Sequence, residues 1–442
     1  MLALAETELD HPRVEATEKT CQRAGQITEP MAAEGAVIPK AADPTNHSCK
    51  SRAPAPARLR LDVWAAWLVW VMPMLIIGAM VIHNPWRRSV TPLYHEASAN
   101  WWAGKDLYHG PAGMNYLPHF AIIFRPFQLL PVPVGDLLWR FSAAALLAFG
   151  IWRCVKLVFT DATPRIFLWV SVVVLPLCLG ALRNGQSNAI FAGLTLNAVA
   201  CLSRKQWWAS AGLIVLALAI KPLGLVLLLL APVIYPELRW RSAVAVAAFV
   251  AFPFLFATTG YVLAQHHSFM ANIKSCAVVN QHRFADINGV FRTFGTSIPP
   301  TASKLVRLMA GMLTAGLLWL GVRPLREPLR GLWLYLLAIA YLMLFNPMNE
   351  ANSYVIFAPA AGLWIGYWIK QNDTRKLGWF AAAIVISMGL LPEALRPLFG
   401  NSFALFWLPA MTASFVGLVT WHVLRHRKPV PVCLPEQAGI KA

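Results

Sequence analysis

Long apolar segments separated by short polar connections fill the sequence from about residue 60 to the C-terminal tail. Of the 442 residues, 57% are hydrophobic and only 13% are charged, against about 25% charged in an average soluble domain. A helix needs about 20 apolar residues to cross a bilayer, and fewer inside a bundle. The pattern therefore predicts an all-α polytopic membrane protein with about twelve transmembrane helices. These spans are expected at 62–82, 136–157, 166–182, 188–202, 207–220, 222–235, 241–258, 304–321, 331–345, 353–369, 377–392 and 402–422.

Proline interrupts two further apolar stretches. Residues 117–131, LPHFAIIFRPFQLLP, are too short and too rich in proline for a span, so we expect a re-entrant or interfacial segment. Within the run 207–235, the pair Lys221-Pro222 marks either a hairpin or a kink.

The two ends of the chain differ from its middle. Residues 1–58 hold eight of the twenty acids and have no sustained apolar period, which is typical of a disordered segment. They lack the apolar region of a secretory signal, so the first span is expected to serve as an uncleaved signal anchor. We therefore predict a disordered cytoplasmic tail over 1–58, a multi-span domain over 59–424 and a cytoplasmic tail over 425–442.

The basic residues indicate an orientation. The formal charge is +18, but no basic helix or aromatic-interleaved patch indicates nucleic-acid binding, and in a membrane chain such an excess is typical of cytoplasmic loops and lipid head groups. Counting Lys and Arg in the connections gives twenty on one side and ten on the other. The positive-inside rule then places both termini in the cytoplasm. The long polar connections all fall on the outer face of the plasma membrane, as expected of an enzyme that acts at that surface.

The sequence contains no recognisable metal or cofactor motif. The seven cysteines show no CxxC or other ligand spacing, and the histidines of the 259–303 loop are not in an HExxH arrangement. We therefore predict no metal and no cofactor.

Carboxylates are scarce on the predicted outer face, and a general base is commonly a carboxylate or a histidine. If residues 93–104 form a helix, Tyr94, Ala97 and Trp101 share one face, while Glu96 and Asn100 share another. Glu96 then points either into a site or into solvent. The outer acids are Glu96, Asp106, Asp136, Asp286, Glu350 and Glu393.

Two polar stretches suit an anion. In LRNGQSNAI, Arg183 precedes a helix that begins near Ser187 or Asn188, so its N-terminal amides either bind a phosphate or form a plain capped turn. Lys221, between two apolar runs, either extends to the interface or meets an anion.

Two other connections are rich in hydrogen-bonding groups. The 259–303 loop contains NQHRFADINGVFR and is long enough for a helical cover over the site, while NPMNEANS surrounds Glu350 with amides. Both suit a sugar or phosphate, although helix capping by Asn and Ser is an alternative.

The ordered set YHEASANWWAGKDLY, YLPHFAIIFRPFQLLP, NGQSNAIFAGL, AGLIVLALAIKPLGLVLLL and NPMNEANSYV resembles glycosyltransferase family 87, over roughly residues 90–370. This is a family of GT-C membrane enzymes that use polyprenyl-phosphate sugars. The resemblance implies an extracytoplasmic site, an inverting transfer without nucleotide or required metal, and mannose as the most familiar sugar.

One position departs from the family pattern. Members usually carry an aspartate, assigned as the catalytic base, a few residues before the tyrosine that corresponds to Tyr94. Residues 89–93 here are SVTPL, with no acid. Either Glu96 or Glu350 takes that role, or the chain performs a variant reaction.

The predicted function is transfer of a hexose from a polyprenyl-phosphate donor to a lipid or glycan acceptor, with membrane lipids as further partners. A transporter or flippase of lipid-linked glycans is the alternative from another class, and a noncatalytic scaffold is a third. The catalytic candidates are Glu96 and Glu350. The substrate-binding candidates are Tyr94, His95, Asn100, Tyr116, Arg125, Arg183, Asn184, Gln186, Asn188, Lys221, His282, Asn288, Arg292, Asn349 and Asn352.

The predicted orientation can be tested with single cysteines and a membrane-impermeant thiol reagent in intact cells. Gly110→Cys and Asn280→Cys should be labelled and Pro429→Cys should not, because the excess of basic residues places the first two outside. Labelling of Pro429→Cys alone would invert the topology.

Overall fold

The structure, a computed structural model, describes residues 56–108, 114–159, 163–279 and 284–425, and these contain helices and no strands. Three short 3-10 helices lie at Pro236–Leu238, Phe252–Leu255 and Ala351–Ile356. The α-helices are α1 Pro56–His83, α2 Thr91–Trp102, α3 Pro118–Ile123, α4 Arg125–Gln128, α5 Val132–Val158, α6 Thr163–Asn184, α7 Asn188–Ser203, α8 Trp207–Ile220, α9 Gly224–Ile234, α10 Arg239–Ala251, α11 Thr259–Val279, α12 Ile287–Thr293, α13 Pro300–Val322, α14 Leu329–Phe345, α15 Ala358–Lys370, α16 Arg375–Ala394, α17 Arg396–Phe399 and α18 Ser402–Arg425.

The predicted all-α polytopic architecture is confirmed. Within the described residues, seven segments are long and apolar enough to cross a membrane, and they contain α1, α5, α6, α10, α13, α16 and α18. The other five predicted spans correspond to the shorter helices α7, α8, α9, α14 and α15. The predicted tails 1–58 and 425–442 lie almost wholly outside the described residues.

Burial explains why some helices are short. Nearly every residue of α7, α14 and α15 is buried, whereas α10 and α13 expose most of their apolar side chains. A helix surrounded by protein is apolar on all sides and need not match the bilayer thickness. The bundle therefore has an inner layer of short helices inside longer ones that face lipid.

The chain breaks sharply between α8 and α9, where the sequence left a hairpin or a kink open. Residues Lys221, Pro222 and Leu223 are not helical. Gly224 packs so closely on the preceding helix that a Cβ there would lie 2.6 Å from the backbone nitrogen of Leu218. Only glycine fits this approach, and the tight turn presents Lys221 at the end of α8.

Helix α2 confirms the helix predicted near residues 93–104. Its buried side chains are Thr91, Tyr94, Ala97, Ser98 and Trp101, so the face shared by Tyr94, Ala97 and Trp101 is the buried one. Residues 117–131 contain no span but the short helices α3 and α4 and the start of the turn into α5. Between residues 259 and 303, the described part of the chain forms α11, α12 and the start of α13.

A buried carboxylate fixes α2 against α5. Asp136 is fully buried, and its Oδ2 accepts a hydrogen bond from Thr91 Oγ1 at 2.7 Å. His95 Nε2 lies 3.2 Å from Oδ1, and Arg140 lies 3.3 Å from Oδ2. Three side chains thus partner one carboxylate, as a buried charge requires.

Arg140 extends the same cluster to two connections. Its guanidinium donates to Ser89 Oγ at 2.8 Å and to the carbonyl of Arg183 at 3.3 Å. The segment before α2 and the last turn of α6 are therefore held by one buried cation.

Breaking this pair should destabilise the fold. We expect Asp136→Ala and Arg140→Ala each to cost about 3–5 kcal/mol, because each leaves an uncompensated buried charge. Thermal unfolding of purified protein in detergent would show both losses. The double variant should be less destabilised than the sum of the single variants, and strict additivity would argue against a coupled pair.

Candidate functional site

Two cavities meet beside the connection that follows α14. The smaller has a volume of about 490 Å³. Aromatic rings, amides and one ammonium group line much of it, and its lining includes Tyr94, Asn115, Tyr116, Gln186, Asn188, Lys221, Phe269, Phe284, Asn346, Glu350 and Ser353. Aromatic faces with amide groups suit a carbohydrate, which offers apolar C–H groups and many hydroxyls.

The larger cavity, of about 1000 Å³, is mostly apolar and has a basic end. Its apolar part runs along α1, α6 and α16, and α6 packs against both other helices. Its lining includes Ile76, Ile77, Pro176, Leu177, Met388 and Leu390, and its basic end contains Arg88, Arg183 and Arg396. Arg396 pairs with Glu393 at 2.8 Å, whereas Arg88 and Arg183 form no ion pair with a carboxylate in the described part of the chain.

Glu350 lies in the wall between the cavities. It lines both of them, together with Val90 and Gln186. Its Oε2 accepts a hydrogen bond from Gln186 Nε2 at 3.2 Å. Within the described residues it is the one carboxylate that lines both spaces, so a group in either cavity can reach it.

A pair of tyrosines forms one side of the smaller cavity. The hydroxyls of Tyr94 and Tyr116 are 2.9 Å apart, and the backbone N–H of Ser187 donates to Tyr94 at 3.3 Å. Burial raises the pKa of both phenols above the ordinary value. Both are therefore neutral hydrogen-bonding groups at physiological pH.

Lys221 is the ammonium group of the smaller cavity. It donates to Asn188 Oδ1, and its Nζ lies 5.7 Å from the centre of the Tyr116 ring. Burial lowers its pKa to about 8, and the negative charge of Glu350 opposes that shift. The loss of this proton thus falls within an accessible pH range.

The predicted N-cap after α6 has a different form. Helix α7 begins at Asn188, as expected, but the side chain of Ser187 makes no capping bond. Asn188 instead donates to Gln186 Oε1 at 2.8 Å and to Ser353 Oγ at 3.4 Å. The side-chain amide of Asn188 therefore hydrogen-bonds to other residues that line the smaller cavity instead of capping α7.

The structure brings most of the candidates from the first half of the chain to these cavities. Tyr94, Tyr116, Gln186, Asn188 and Lys221 line the smaller cavity, whereas Arg183, Asn184 and Asn352 line the larger one. Arg183 and Lys221, both expected to contact phosphate, are thus in different cavities.

Glu96 is placed apart from this site. It is exposed on α2 and lines neither cavity, so its position does not support a catalytic role. Its neighbour His95 faces Asp136 instead. Asn100 lies near the end of α2, where its backbone carbonyl accepts from Lys105 N at 2.9 Å.

Four other candidates line neither cavity. Arg125 donates to Gln128 and lies over Trp102. Arg292 donates to the carbonyl of Phe284, and Asn288 accepts from Ser303. The buried Asn349 donates to the carbonyls of Leu342 and Met343, which fixes the NPMNEANS turn. The last candidate, His282, lies outside the described residues.

Several lining residues were not among the candidates. Asn115 and Ser353 are adjacent in sequence to the candidates Tyr116 and Asn352, and this adjacency could have identified them. Arg88 and Arg396 were counted only as outer basic residues. Phe269 and Phe284, which line the smaller cavity, had no sequence signal that separates them from ordinary apolar contacts.

The described residues contain no group of three or more His, Cys, Asp or Glu side chains that could hold a metal ion. The ligands in this site would instead meet amides, hydroxyls, aromatic rings and cations.

Comparison with known families agrees with this geometry. Residues 115–392, more than half of the chain, match the model of glycosyltransferase family 87. The chain belongs to glycosyltransferase family 87, and it is an integral membrane glycosyltransferase. Gln186, Lys221 and Glu350 lie inside the matched region, whereas Tyr94 and Glu96 precede it. Comparisons with curated proteins and with solved structures find no match.

The titration of Lys221 predicts a pH dependence. The ammonium form is complete well below pH 8 and is lost above it, so sugar transfer that needs this charge should fall about twofold at pH 8 and about tenfold at pH 9 relative to neutral pH. Initial rates in membranes would measure this fall. Lys221→Arg keeps its charge over that range and should abolish the alkaline decline; an unchanged decline would assign it to another group.

Proposed function

We propose that this glycosyltransferase moves a hexose, with mannose as the first candidate, from a polyprenyl-phosphate donor to an acceptor hydroxyl on a lipid or glycan. The reaction takes place on the extracytoplasmic face of the plasma membrane. The observation that carries the proposal is the position of Glu350. It lies in the wall between the smaller cavity and the larger, mostly apolar cavity with its basic end.

The larger cavity suits the donor lipid. Its apolar lining from α1, α6 and α16 can receive an isoprenoid chain, because burial of hydrocarbon against apolar side chains is favourable without directional contacts. Arg183 and Arg88 at its basic end are positioned for a phosphate, which charge-assisted hydrogen bonds from guanidinium groups hold strongly. One elongated amphipathic molecule therefore accounts for both parts of the cavity.

The smaller cavity suits the sugar and the acceptor hydroxyl. Tyr116 offers an aromatic face, and Gln186, Asn188 and Asn115 offer amides. This is the combination of apolar surface and a few placed polar groups that is typical of a ligand site. A donor whose phosphate is bound at the basic end of the larger cavity would place its sugar beside Glu350.

Glu350 acts as the general base in this mechanism. Its carboxylate takes the proton of the acceptor hydroxyl as the acceptor oxygen forms a bond to the anomeric carbon. The bond between that carbon and the phosphate oxygen breaks, and polyprenyl phosphate leaves with the electron pair. General-base catalysis contributes about 10²–10⁴ in rate, and the guanidinium groups stabilise the charge that develops on the phosphate.

The proposed base is tested by paired carboxamide variants. Glu350→Gln keeps the shape of the side chain but removes the base, so transfer of labelled sugar from polyprenyl-phosphate donors in membranes should fall by about 10²-fold or more. Glu96→Gln, at an exposed position of α2, is the matched control and should retain near-normal turnover. Both variants should be compared at equal protein level. Normal turnover in Glu350→Gln with loss in Glu96→Gln would move the base to α2.

A further inference from the structure

Three consecutive hydrogen bonds connect Lys221 to Glu350. The ammonium of Lys221 donates to Asn188 Oδ1. Asn188 Nδ2 donates to Gln186 Oε1 at 2.8 Å, and Gln186 Nε2 donates to Glu350 Oε2 at 3.2 Å. The side chains come from the α8–α9 break, the start of α7, the turn before it and the connection after α14, so the series joins four parts of the chain.

The direction of these bonds is the same at every step. Each amide accepts through its oxygen from the cationic side and donates through its nitrogen toward the anionic side. Because an ammonium can only donate and an ionised carboxylate can only accept, the charges at the two ends fix the orientation of both amides. Hydrogen bonds arranged head to tail polarise one another and strengthen the series.

The series of hydrogen bonds occupies one carboxylate oxygen of Glu350 and leaves the other available to accept a proton. Oε2 of Glu350 accepts from Gln186, whereas Oε1 accepts no hydrogen bond from the described residues. In that part of the chain the structure shows no ion pair within 4.0 Å between Lys221 and Glu350. The amides are thus the hydrogen-bonded connection between the two charges.

We propose that Lys221 is a positioning residue for Glu350, and that its charge acts through the amides of Asn188 and Gln186 to hold the carboxylate in its reactive orientation. This inference rests on the proposed role of Glu350 as general base. It differs from a direct contact between Lys221 and a substrate phosphate, because it requires both amides to be intact.

Lys221 is the group expected to titrate between pH 7 and 9.5 in this cavity. The titratable side chains that line it, among the described residues, are Tyr94, Tyr116, Lys221 and Glu350. Burial raises the pKa of both tyrosines, so they remain neutral over this range. The residues of α11 that line the cavity, Phe269 and Ile273, do not titrate.

The experiment breaks the series without removing Lys221. Gln186→Met and Asn188→Leu are close in volume to the native side chains but cannot transmit the hydrogen bonds. Each should lower kcat about tenfold or more while leaving KM for the lipid donor within about twofold, since the loss is in the reacting complex. In both, the alkaline decline between pH 7 and 9.5 should disappear although Lys221 still loses its proton.

The double variant Lys221→Met/Gln186→Met provides a second readout. If both residues act through one series, its kcat should lie within about twofold of the slower single variant, because members of one unit are not additive. Asn352→Leu is the matched control: it removes an amide beside Glu350 that is outside the series, and it should keep the alkaline decline. Gln186→Asn, which is one methylene too short, replaces Gln186→Met if the latter is poorly folded.

The outcomes separate the two proposals. Persistence of the alkaline decline in Gln186→Met and Asn188→Leu, with multiplicative losses in the double variant, would overturn the positioning role and assign Lys221 to direct contact with substrate. Normal turnover in Glu350→Gln would instead overturn the proposed base itself. Loss of the decline in both amide variants, with Glu350→Gln inactive, supports both.

Discussion

A polar group beside hydrocarbon must find its partner inside the protein, and the part of this structure around α2 depends on that constraint. Asp136 is fully buried, forms an ion pair with Arg140 and is hydrogen-bonded to Thr91 and His95. The same guanidinium binds Ser89 and the carbonyl of Arg183. One buried ion pair therefore fixes α2 and the turn that precedes α7, and these two elements carry much of the smaller cavity.

The candidate site residues Lys221 and Glu350 lie in non-helical connections between helices. The turn at Lys221 ends α8, and the NPMNEANS connection ends α14 without continuing into α15. Non-helical backbone in a membrane protein is tolerated where it is surrounded by protein or lines a cavity. Asn349 satisfies two carbonyls at the end of α14, which leaves the adjacent Glu350 free to face the cavities. The capping amide of Asn349 and the proposed base Glu350 thus have separate tasks within one short connection.

Hydropathy predicted the fold well because burial in lipid is decided by local composition. The twelve expected spans all correspond to helices, and Tyr94, Ala97 and Trp101 share one face of α2 as expected. The site was less predictable because it depends on distant contacts. Gln186 and Glu350 are 164 positions apart, and Lys221 and Asn188 are 33 apart. Periodicity showed that Glu96 and Tyr94 lie on different faces, but it did not show which face would be covered by α3 and α5.

The segment in which members of the family usually carry their aspartate is held here by a carboxylate from another helix. Ser89 and Thr91 contact the Asp136–Arg140 pair, so α5 supplies a negative charge to a region that has none of its own. That carboxylate is fully buried, and both of its oxygens have partners, so it is suited to holding α2 rather than to receiving a proton from an acceptor. Glu350 has one unpartnered oxygen among the described residues and lines both cavities. We therefore assign the anchoring of α2 and the proposed proton transfer to two different carboxylates, Asp136 and Glu350.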